Sequence, residues 1–135
     1  MQMETTLAFV IEGDAHSLTV ISGLLRDLGI NYKRNMTGAN VLEQLRAMQP
    51  HPDFILLNTD LPYGDGITLG QLILRDRQLS AIPIIIIGQQ AVDDMIEPVQ
   101  RVGFAAYLAK PLPKRLFGEI IRRVLAGEEV WQYAV

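Results

Sequence analysis

Short strand-like segments alternate five times with segments of helical periodicity along this chain. The strand-like segments begin at Leu7, Ile30, Phe54, Pro83 and Ala105, and they are four to seven residues long. Strict alternation of strands and helices predicts a parallel sheet with helices on both faces, joined by right-handed crossovers. A length of 135 residues is that of one domain, so we expect a single α/β domain.

The run from Phe54 to Leu57 fixes the centre of the predicted sheet. It is continuously apolar, it follows Pro52, and a polar loop rich in Pro, Gly and Asp comes after it. This pattern is typical of a strand that is buried on both faces and therefore lies in mid-sheet. Ligands of open α/β sheets collect at the carboxyl ends of the strands. Asn58, which stands at that end, is the first candidate site residue.

The helical segments differ in how their ends and faces are marked. Asp14 is a candidate N-cap for the first. The second is predicted to open at Thr37-Gly38 and to stop at Pro50. Pro98 lies inside the fourth, where it removes a hydrogen bond, so this helix is expected to be short or bent. The third is expected to turn four apolar side chains inward, namely Leu69, Leu72, Ile73 and Leu79.

Composition argues against several classes of function. The net charge of −3 disfavours direct nucleic-acid binding, because neutralising phosphates needs a basic face. The lack of cysteine leaves no disulfide, thiolate metal site or thiol nucleophile. No apolar run approaches membrane-spanning length, so no membrane contact and a cytoplasmic location are expected. Residues 1–127 are predicted to form the domain, and residues 128–135 a C-terminal tail or the start of a linker.

Motifs in a fixed order carry a resemblance to a known family. They are His51 to Leu57, then Leu61-Pro62 with Gly64-Asp65-Gly66, then Ile82-Pro83-Ile84-Ile85, and finally Gly103 followed by Tyr107 to Pro111. From Leu7 to about Ala126 the chain resembles the receiver domain of two-component response regulators, of the chemotaxis-regulator kind. The resemblance implies a flavodoxin-like (βα)5 fold, doubly wound, with strand order 2-1-3-4-5.

The resemblance also implies where the site lies. The family places a phosphoryl-accepting aspartate after the third strand, Mg²⁺-binding acids after the first, a hydroxyl residue after the fourth and a lysine after the fifth. Here the acceptor position is Asn58. The other implied positions are the vestigial acidic or metal positions Glu12, Gly13, Asp14 and Asp60, the vestigial switch positions Gly88 and Tyr107, and the retained Lys110 with Pro111, whose peptide bond is expected to be cis.

These substitutions predict a site without phosphoryl chemistry. A neutral amide is a far poorer nucleophile than a carboxylate, so Asn58 should not accept phosphate. Mg²⁺ requires anionic oxygen ligands, and Gly13 and Asn58 remove two of them, so metal binding should be weak or absent and no cofactor is expected. We predict an ion pair between Lys110 and Glu12, with Asn58 hydrogen-bonded to one of them. An engineered block of a working site is the alternative explanation of Asn58, disfavoured because Gly88 is altered too.

Other residues keep a structural interpretation beside a functional one. Asp60 and Asp65 offer substitute carboxylates, although a loop role and a helix start are favoured. His16 and His51 are assigned to the surface. Tyr107, together with the apolar face of the last helix, is either a partner surface or covered core.

The favoured function is that of a degenerate receiver, a phosphorylation-independent interaction module in two-component signalling. Protein partners are expected on the face formed by helix 4, strand 5 and helix 5. A histidine kinase or an output domain is the candidate partner, and a homodimer is left open. The alternatives are a receiver that uses another phosphoacceptor and a flavodoxin-like binder of small ligands, although a Gly-rich phosphate loop is lacking. No nucleophile, base and orienting group occur together, so the chain is not expected to be an enzyme.

Overall fold

A five-stranded parallel sheet forms the centre of the molecule. The computed structural model describes residues 5–131. The strands are β1 (Leu7–Ile11), β2 (Asn31–Asn35), β3 (Phe54–Asn58), β4 (Ile84–Gly88) and β5 (Ala106–Ala109). Their order is β2-β1-β3-β4-β5, and every neighbouring pair is parallel. The predicted flavodoxin-like fold and strand order are confirmed.

Five helices cover the two faces of the sheet. They are α1 (Ala15–Asp27), α2 (Val41–Ala47), α3 (Gly66–Arg75), α4 (Val92–Val102) and α5 (Phe117–Leu125). The buried side chains of α1 and α5 join one hydrophobic cluster, and those of α2, α3 and α4 join the other. The two clusters lie on opposite faces of the sheet because successive strand residues point to opposite faces. None of the helices within residues 5–131 is long and apolar enough to cross a membrane.

The central strands are buried throughout, as the sequence predicts. Every residue of β3 and of β4 is buried. Along β3, Phe54 and Leu56 pack on the α1/α5 side, whereas Ile55 and Leu57 pack on the other. Such a strand can only run in mid-sheet, and its last residue, Asn58, is thereby held at the rim where the strand ends.

Aspartates fix the loops around this rim. The Asp14 carboxylate caps α1 by accepting a hydrogen bond of 2.8 Å from the Ser17 amide. Hydrogen bonding from Ser17 lowers the pKa of Asp14. Asp65 caps α3 by accepting from the Ile67 amide at 3.1 Å, so the predicted helix-start role of Asp65 is confirmed. Both caps satisfy amides that a helix N-terminus leaves without intrahelical partners.

A third aspartate ties two helices together. Asp76, at the end of α3, accepts a hydrogen bond of 2.8 Å from Nε of Arg46, which belongs to α2. Its own carboxylate also accepts from the Gln78 amide at 2.9 Å. The pKa of Asp76 is lowered, chiefly by the hydrogen bond from Arg46.

The structure tests three sequence predictions about helices. Helix α2 begins at Val41 rather than at Thr37-Gly38, because Oδ1 of Asn35 binds the amides of both residues and holds them in a loop. Helix α4 has 11 residues and continues through Pro98, so it is not short, whereas the expected bend stays a prediction. Pro98 is exposed, so water can reach the carbonyl that it leaves without a partner. Leu72 of α3 is 46% exposed rather than turned inward.

One histidine prediction is also wrong. His16 is exposed, as expected, but His51 is only partly accessible. Its Nε2 is buried and has no hydrogen-bond partner among the described residues. His51 lies three residues before β3 begins at Phe54, and its polar neighbours in sequence do not reveal that its Nε2 is buried.

A small hairpin follows β3, and it was not predicted. Asp60–Leu61 pairs antiparallel with Gly64–Asp65. The hairpin folds back on β3 so tightly that a Cβ on Gly66 would lie 2.0 Å from the Asn58 carbonyl oxygen. Only glycine fits at position 66, since no real Cβ approaches backbone so closely.

The chain after α5 returns to the sheet. Gly127, with a φ of +92°, ends the helix, and Val130 then forms a parallel bridge with Ala106 of β5. Val130 is fully buried. The predicted tail 128–135 is described as far as Trp131, and residues 132–135 lie outside the described range.

Candidate functional site

Three side chains meet where β1, β3 and β5 end. Glu12 directly follows β1, Asn58 is the last residue of β3, and Lys110 directly follows β5. The carboxyl ends of parallel strands share one edge of the sheet, so residues far apart in sequence are brought together there. The Lys110–Pro111 peptide bond is cis, as expected.

Glu12 is the centre of this cluster. It is 1% exposed, and its Oε1 lies 2.9 Å from Nζ of Lys110. This contact is an ion pair without hydrogen-bond alignment, since Oε1 has no hydrogen-bond partner among the described residues. Oε2 accepts from Nδ2 of Asn58 at 2.5 Å. Both parts of the predicted contact, the Lys110–Glu12 pair and the bond to Asn58, are present.

The Asn58 side chain uses both ends of its amide. Nδ2 donates to Glu12, and Oδ1 accepts from the backbone amide of Asp60 at 3.1 Å. An aspartate at position 58 could accept from the same backbone amide, but an ionised carboxylate has no proton to donate to Glu12. The amide is therefore the side chain that joins a buried carboxylate to the loop after β3.

Lys110 and Glu12 are held from further directions. Nζ of Lys110 donates to Oγ of Ser17 on α1 at 2.9 Å, and the Asp14 amide donates to Oε2 of Glu12 at 3.2 Å. Ser17 was missed by sequence reasoning, because no motif or spacing relates it to Lys110. Its role follows from the way in which Asp14 caps α1, which brings the first turn of that helix over the cleft.

The second acidic position of the family is closed by packing. A Cβ on Gly13 would lie 2.8 Å from Cδ of Pro62 and 2.9 Å from the Met36 carbonyl oxygen. The hairpin after β3 thus rests on the place where a side chain would project from position 13. The Tyr63 amide donates to the Thr37 carbonyl at 3.2 Å and fastens the hairpin in this position.

The space beside Gly88 is filled by its neighbours. A Cβ there would lie 2.8 Å from the Tyr107 hydroxyl and 3.1 Å from Oγ1 of Thr59. Tyr107 is 1% exposed and its hydroxyl donates to the Gln90 carbonyl at 2.7 Å. Of the two interpretations of Tyr107, covered core is the one that the structure supports. Thr59 was missed by sequence reasoning, because nothing in its spacing relates it to Gly88.

The remaining acidic residues lie outside the cluster. The Asp14 carboxylate is engaged at the start of α1, and Asp60 and Asp65 are exposed in the hairpin. Within residues 5–131 there is no group of three or more His, Cys, Asp or Glu residues that could hold a metal ion.

Comparison with known proteins places the chain in a family. A model of the response regulator receiver domain matches residues 8–122. The chain belongs to that family. The polar-differentiation response regulator DivK of Brucella ovis is 26% identical over 121 residues, which cover 90% of this chain and 97% of that protein. Receiver domains are generally signalling modules rather than enzymes, and they interact with histidine kinases and output domains.

Two further matches are a curated protein and a solved structure. The two-component response regulator-like protein APRR1 of Arabidopsis thaliana is 31% identical over 101 residues, which is 75% of this chain but only 16% of the length of that relative. The receiver domain of the sensor histidine kinase PA1611 from Pseudomonas aeruginosa has a TM-score of 0.78 and 25% identity, covering 90% of this chain and 98% of its own. A magnesium ion is coordinated in the active-site cleft of that structure.

Proposed function

We propose that this receiver domain acts without phosphorylation, as a protein-interaction module in two-component signalling. The observation that carries the proposal is the closed cluster in which Glu12, 1% exposed, is bound by both Lys110 and Asn58. Lys110 compensates the charge of Glu12. Oε2 of Glu12 accepts hydrogen bonds from the Asn58 side chain and from the Asp14 backbone amide. In this proposal the cluster is complete without a metal ion or a phosphoryl group.

The first step of the argument concerns the nucleophile. Phosphoryl transfer to a receiver requires a carboxylate oxygen at the end of β3, and Asn58 provides an amide there. Nδ2 and Oδ1 of Asn58 are both in hydrogen bonds already. Attack by an amide would in any case leave no stable phosphorylated product.

The second step concerns Mg²⁺, for which the residues present are a poor fit. Mg²⁺ prefers near-octahedral oxygen ligation with anionic anchors. Glu12 is the only carboxylate in the cluster, and both of its oxygens already face a donor or a cation. Position 13 is a glycine with Pro62 packed against it. A divalent ion would have to compete with Lys110 for a single carboxylate.

The third step concerns switching. The family hydroxyl residue is replaced by Gly88, so this chain has no side chain at that position to hold a phosphoryl group. Tyr107 occupies the adjoining space and is bound to the Gln90 carbonyl at 2.7 Å. Packing and this hydrogen bond hold the aromatic ring in the observed position, and in this proposal partner binding does not depend on a phosphoryl-driven movement of the ring.

We place the partner on the face formed by α4, β5 and α5. Strand β5 is an edge of the sheet, and the outward side of α4 carries exposed acidic residues, namely Asp93, Asp94 and Glu97. A histidine kinase or an output domain is the class of partner that the family uses. In this proposal the domain has no turnover of its own and needs no cofactor.

The test is exposure to a phosphodonor followed by measurement of intact mass. The full chain is incubated with acetyl phosphate and Mg²⁺, beside a receiver that carries the usual aspartate as positive control. We expect no added phosphoryl group and no tight Mg²⁺ binding by calorimetry. Magnesium affinity near micromolar, or a phosphoryl group on residue 58, would overturn the proposal.

Asp60 is the one alternative acceptor that the geometry favours. It is exposed, and with Asp65 it lines a cavity of about 240 Å³ beside the hairpin. Asp60→Asn is therefore the matched control variant for the mass experiment. Uptake by the native chain that disappears in Asp60→Asn would mean a receiver with a displaced acceptor and would refute phosphorylation-independence.

A further inference from the structure

The segment after α5 behaves as the start of a sixth strand. The Val130 amide donates to the Ala105 carbonyl at 2.8 Å, and Val130 bridges Ala106 in the parallel sense. Val130 joins the hydrophobic cluster on the α1/α5 side, whereas Trp131 packs against the cluster on the opposite side. Successive side chains that point to opposite faces are the mark of a β-strand.

The residues on either side of the bridge hold the segment in place. The Glu128 amide donates to the Arg123 carbonyl at 3.0 Å, and Nε of Arg123 donates to Oε1 of Glu128 at 3.0 Å. Within the segment itself, Nε1 of Trp131 donates to Oε1 of Glu129 at 2.9 Å and fixes the two side chains relative to each other. The short segment Glu128 to Trp131 is thus bound through backbone, charge and apolar contacts together.

The surface that receives this segment has distinct parts. The outer edge of β5 offers backbone hydrogen-bonding groups, as any edge strand does. A fully buried site takes Val130. A cavity of about 460 Å³ between α4 and α5 is lined by Ile96, Gln100 and Arg123 together with Glu129 and Trp131. Arg123 binds the Glu128 carboxylate, so this surface suits an acidic residue two positions before the β-branched Val130.

We propose that the β5 edge with the α4–α5 groove is a binding surface for an extended peptide, and that the chain's own segment 128–131 occupies it. The peptide adds as a strand parallel to β5, a mode in which main-chain bonds give affinity and side-chain sites give specificity. Any role of this contact in signalling rests on the proposed function, in which the face formed by α4, β5 and α5 binds the partner. A partner on that face must then displace the segment or bind around it.

The occupancy is tested on the full chain with its single tryptophan as reporter. Val130→Asp puts a charge into the buried site and should release the segment, so Trp131 emission shifts to longer wavelength and collisional quenching by acrylamide rises roughly twofold or more. Leu72→Asp makes the same chemical change at an exposed position of α3 and should leave the emission unchanged. Val130→Gly, which adds no charge, replaces Val130→Asp if that variant does not fold by circular dichroism.

The peptide surface is tested by adding the segment in trans. An unlabelled peptide with the sequence of residues 126–131 is titrated into isotope-labelled chains and followed by NMR. We expect the β5 amides of the Val130→Asp chain to respond with apparent affinity about tenfold higher than those of the native chain, because a tethered segment competes at high effective concentration. A peptide with Asp in place of the valine should not bind.

The outcomes separate this inference from the proposed function. Equal response of both chains, no response from a folded Val130→Asp chain, or unchanged tryptophan quenching would each overturn it. A native dimer by light scattering that becomes a monomer in Val130→Asp would mean that the segment binds a second copy, which also overturns occupancy within one chain. None of these measurements involves phosphate or Mg²⁺, so either proposal can fail while the other stands.

Discussion

Removing the lysine from the Glu12–Lys110 pair should strongly destabilise the fold. The two charges are 2.9 Å apart, and Glu12 and Lys110 side chains are 1% and 15% exposed. At that distance Coulomb attraction is roughly 6 kcal/mol with an effective dielectric constant near 20, and desolvation offsets much of it. Breaking a buried pair by deleting one partner typically costs about 3–5 kcal/mol. We expect Lys110→Met to lower the free energy of unfolding by about 3 kcal/mol, since Lys110 keeps some access to water.

A double-mutant cycle isolates the charge interaction. Glu12→Gln removes the buried charge but keeps the shape of the side chain and an oxygen that can accept from Asn58. In the double variant no charge is left uncompensated, so it should be more stable than Lys110→Met alone by about 2 kcal/mol. The sign of this difference distinguishes an ion pair from a packing contact.

The assay is urea unfolding followed by far-ultraviolet circular dichroism, with linear extrapolation to water. A loss of about 3 kcal/mol corresponds to a fall in Tm of roughly 10 °C for a domain of this size. Lys114→Met is the matched control, because Lys114 is exposed, and it should stay within about 0.5 kcal/mol of the native chain. Additivity of the two single changes within about 0.5 kcal/mol would refute the reasoning.

Three further changes have defined outcomes. Asn58→Asp places a second carboxylate against Glu12 and should cost about 2–4 kcal/mol by urea unfolding at neutral pH, without phosphoryl uptake by intact mass. Gly88→Ser puts a Cβ within 2.8 Å of the Tyr107 hydroxyl and should cost about 2–4 kcal/mol through overpacking and a lost hydrogen bond. Asp76→Asn should be less stable than the native chain at neutral pH, and the gap should close as the pH falls below the ordinary value of 3.8, because the folded-state pKa of Asp76 is lowered.

Each of these has a control and a contradicting result. Asn58→Ala removes the amide without adding charge, and a loss as large as that of Asn58→Asp would show that charge repulsion is not the cause. Gly23→Ser in α1 is the control for Gly88→Ser, since a Cβ at Gly23 meets no atom within 4 Å and neither glycine has a positive φ. For Asp76→Asn, a stability gap that persists unchanged down to pH 2 would contradict the linkage argument.

The sheet was predictable because its signals are local. The short apolar run Phe54 to Leu57, bounded by Pro, Gly and Asp residues, indicates a strand with both faces covered. The strand order came from the family resemblance. Helix boundaries were less predictable. The start of α2 is displaced by hydrogen bonds from the Asn35 side chain to the loop, and side-chain bonds of this kind compete with helix formation without changing hydrophobic periodicity.

The site was predicted in its charges but not in its shape. Opposite charges at the ends of β1 and β5 were expected to pair because the other two carboxylates of the family are absent, and the Glu12–Lys110 contact is present. The contact of Pro62 with Gly13 and the place of Thr59 beside Gly88 join residues from different loops. No periodicity records such contacts, because they depend on how the hairpin after β3 folds back.

The packing of the hairpin on Gly13 has a consequence for how such a domain can change under mutation. A Cβ at this position would lie within 3 Å of both Pro62 and the Met36 carbonyl oxygen. An acidic side chain at position 13 would therefore require the hairpin to take a different path. A single substitution that introduces an acid at position 13 is therefore expected to give a less stable domain. The path of the hairpin thus limits which side chains this edge of the sheet can accept.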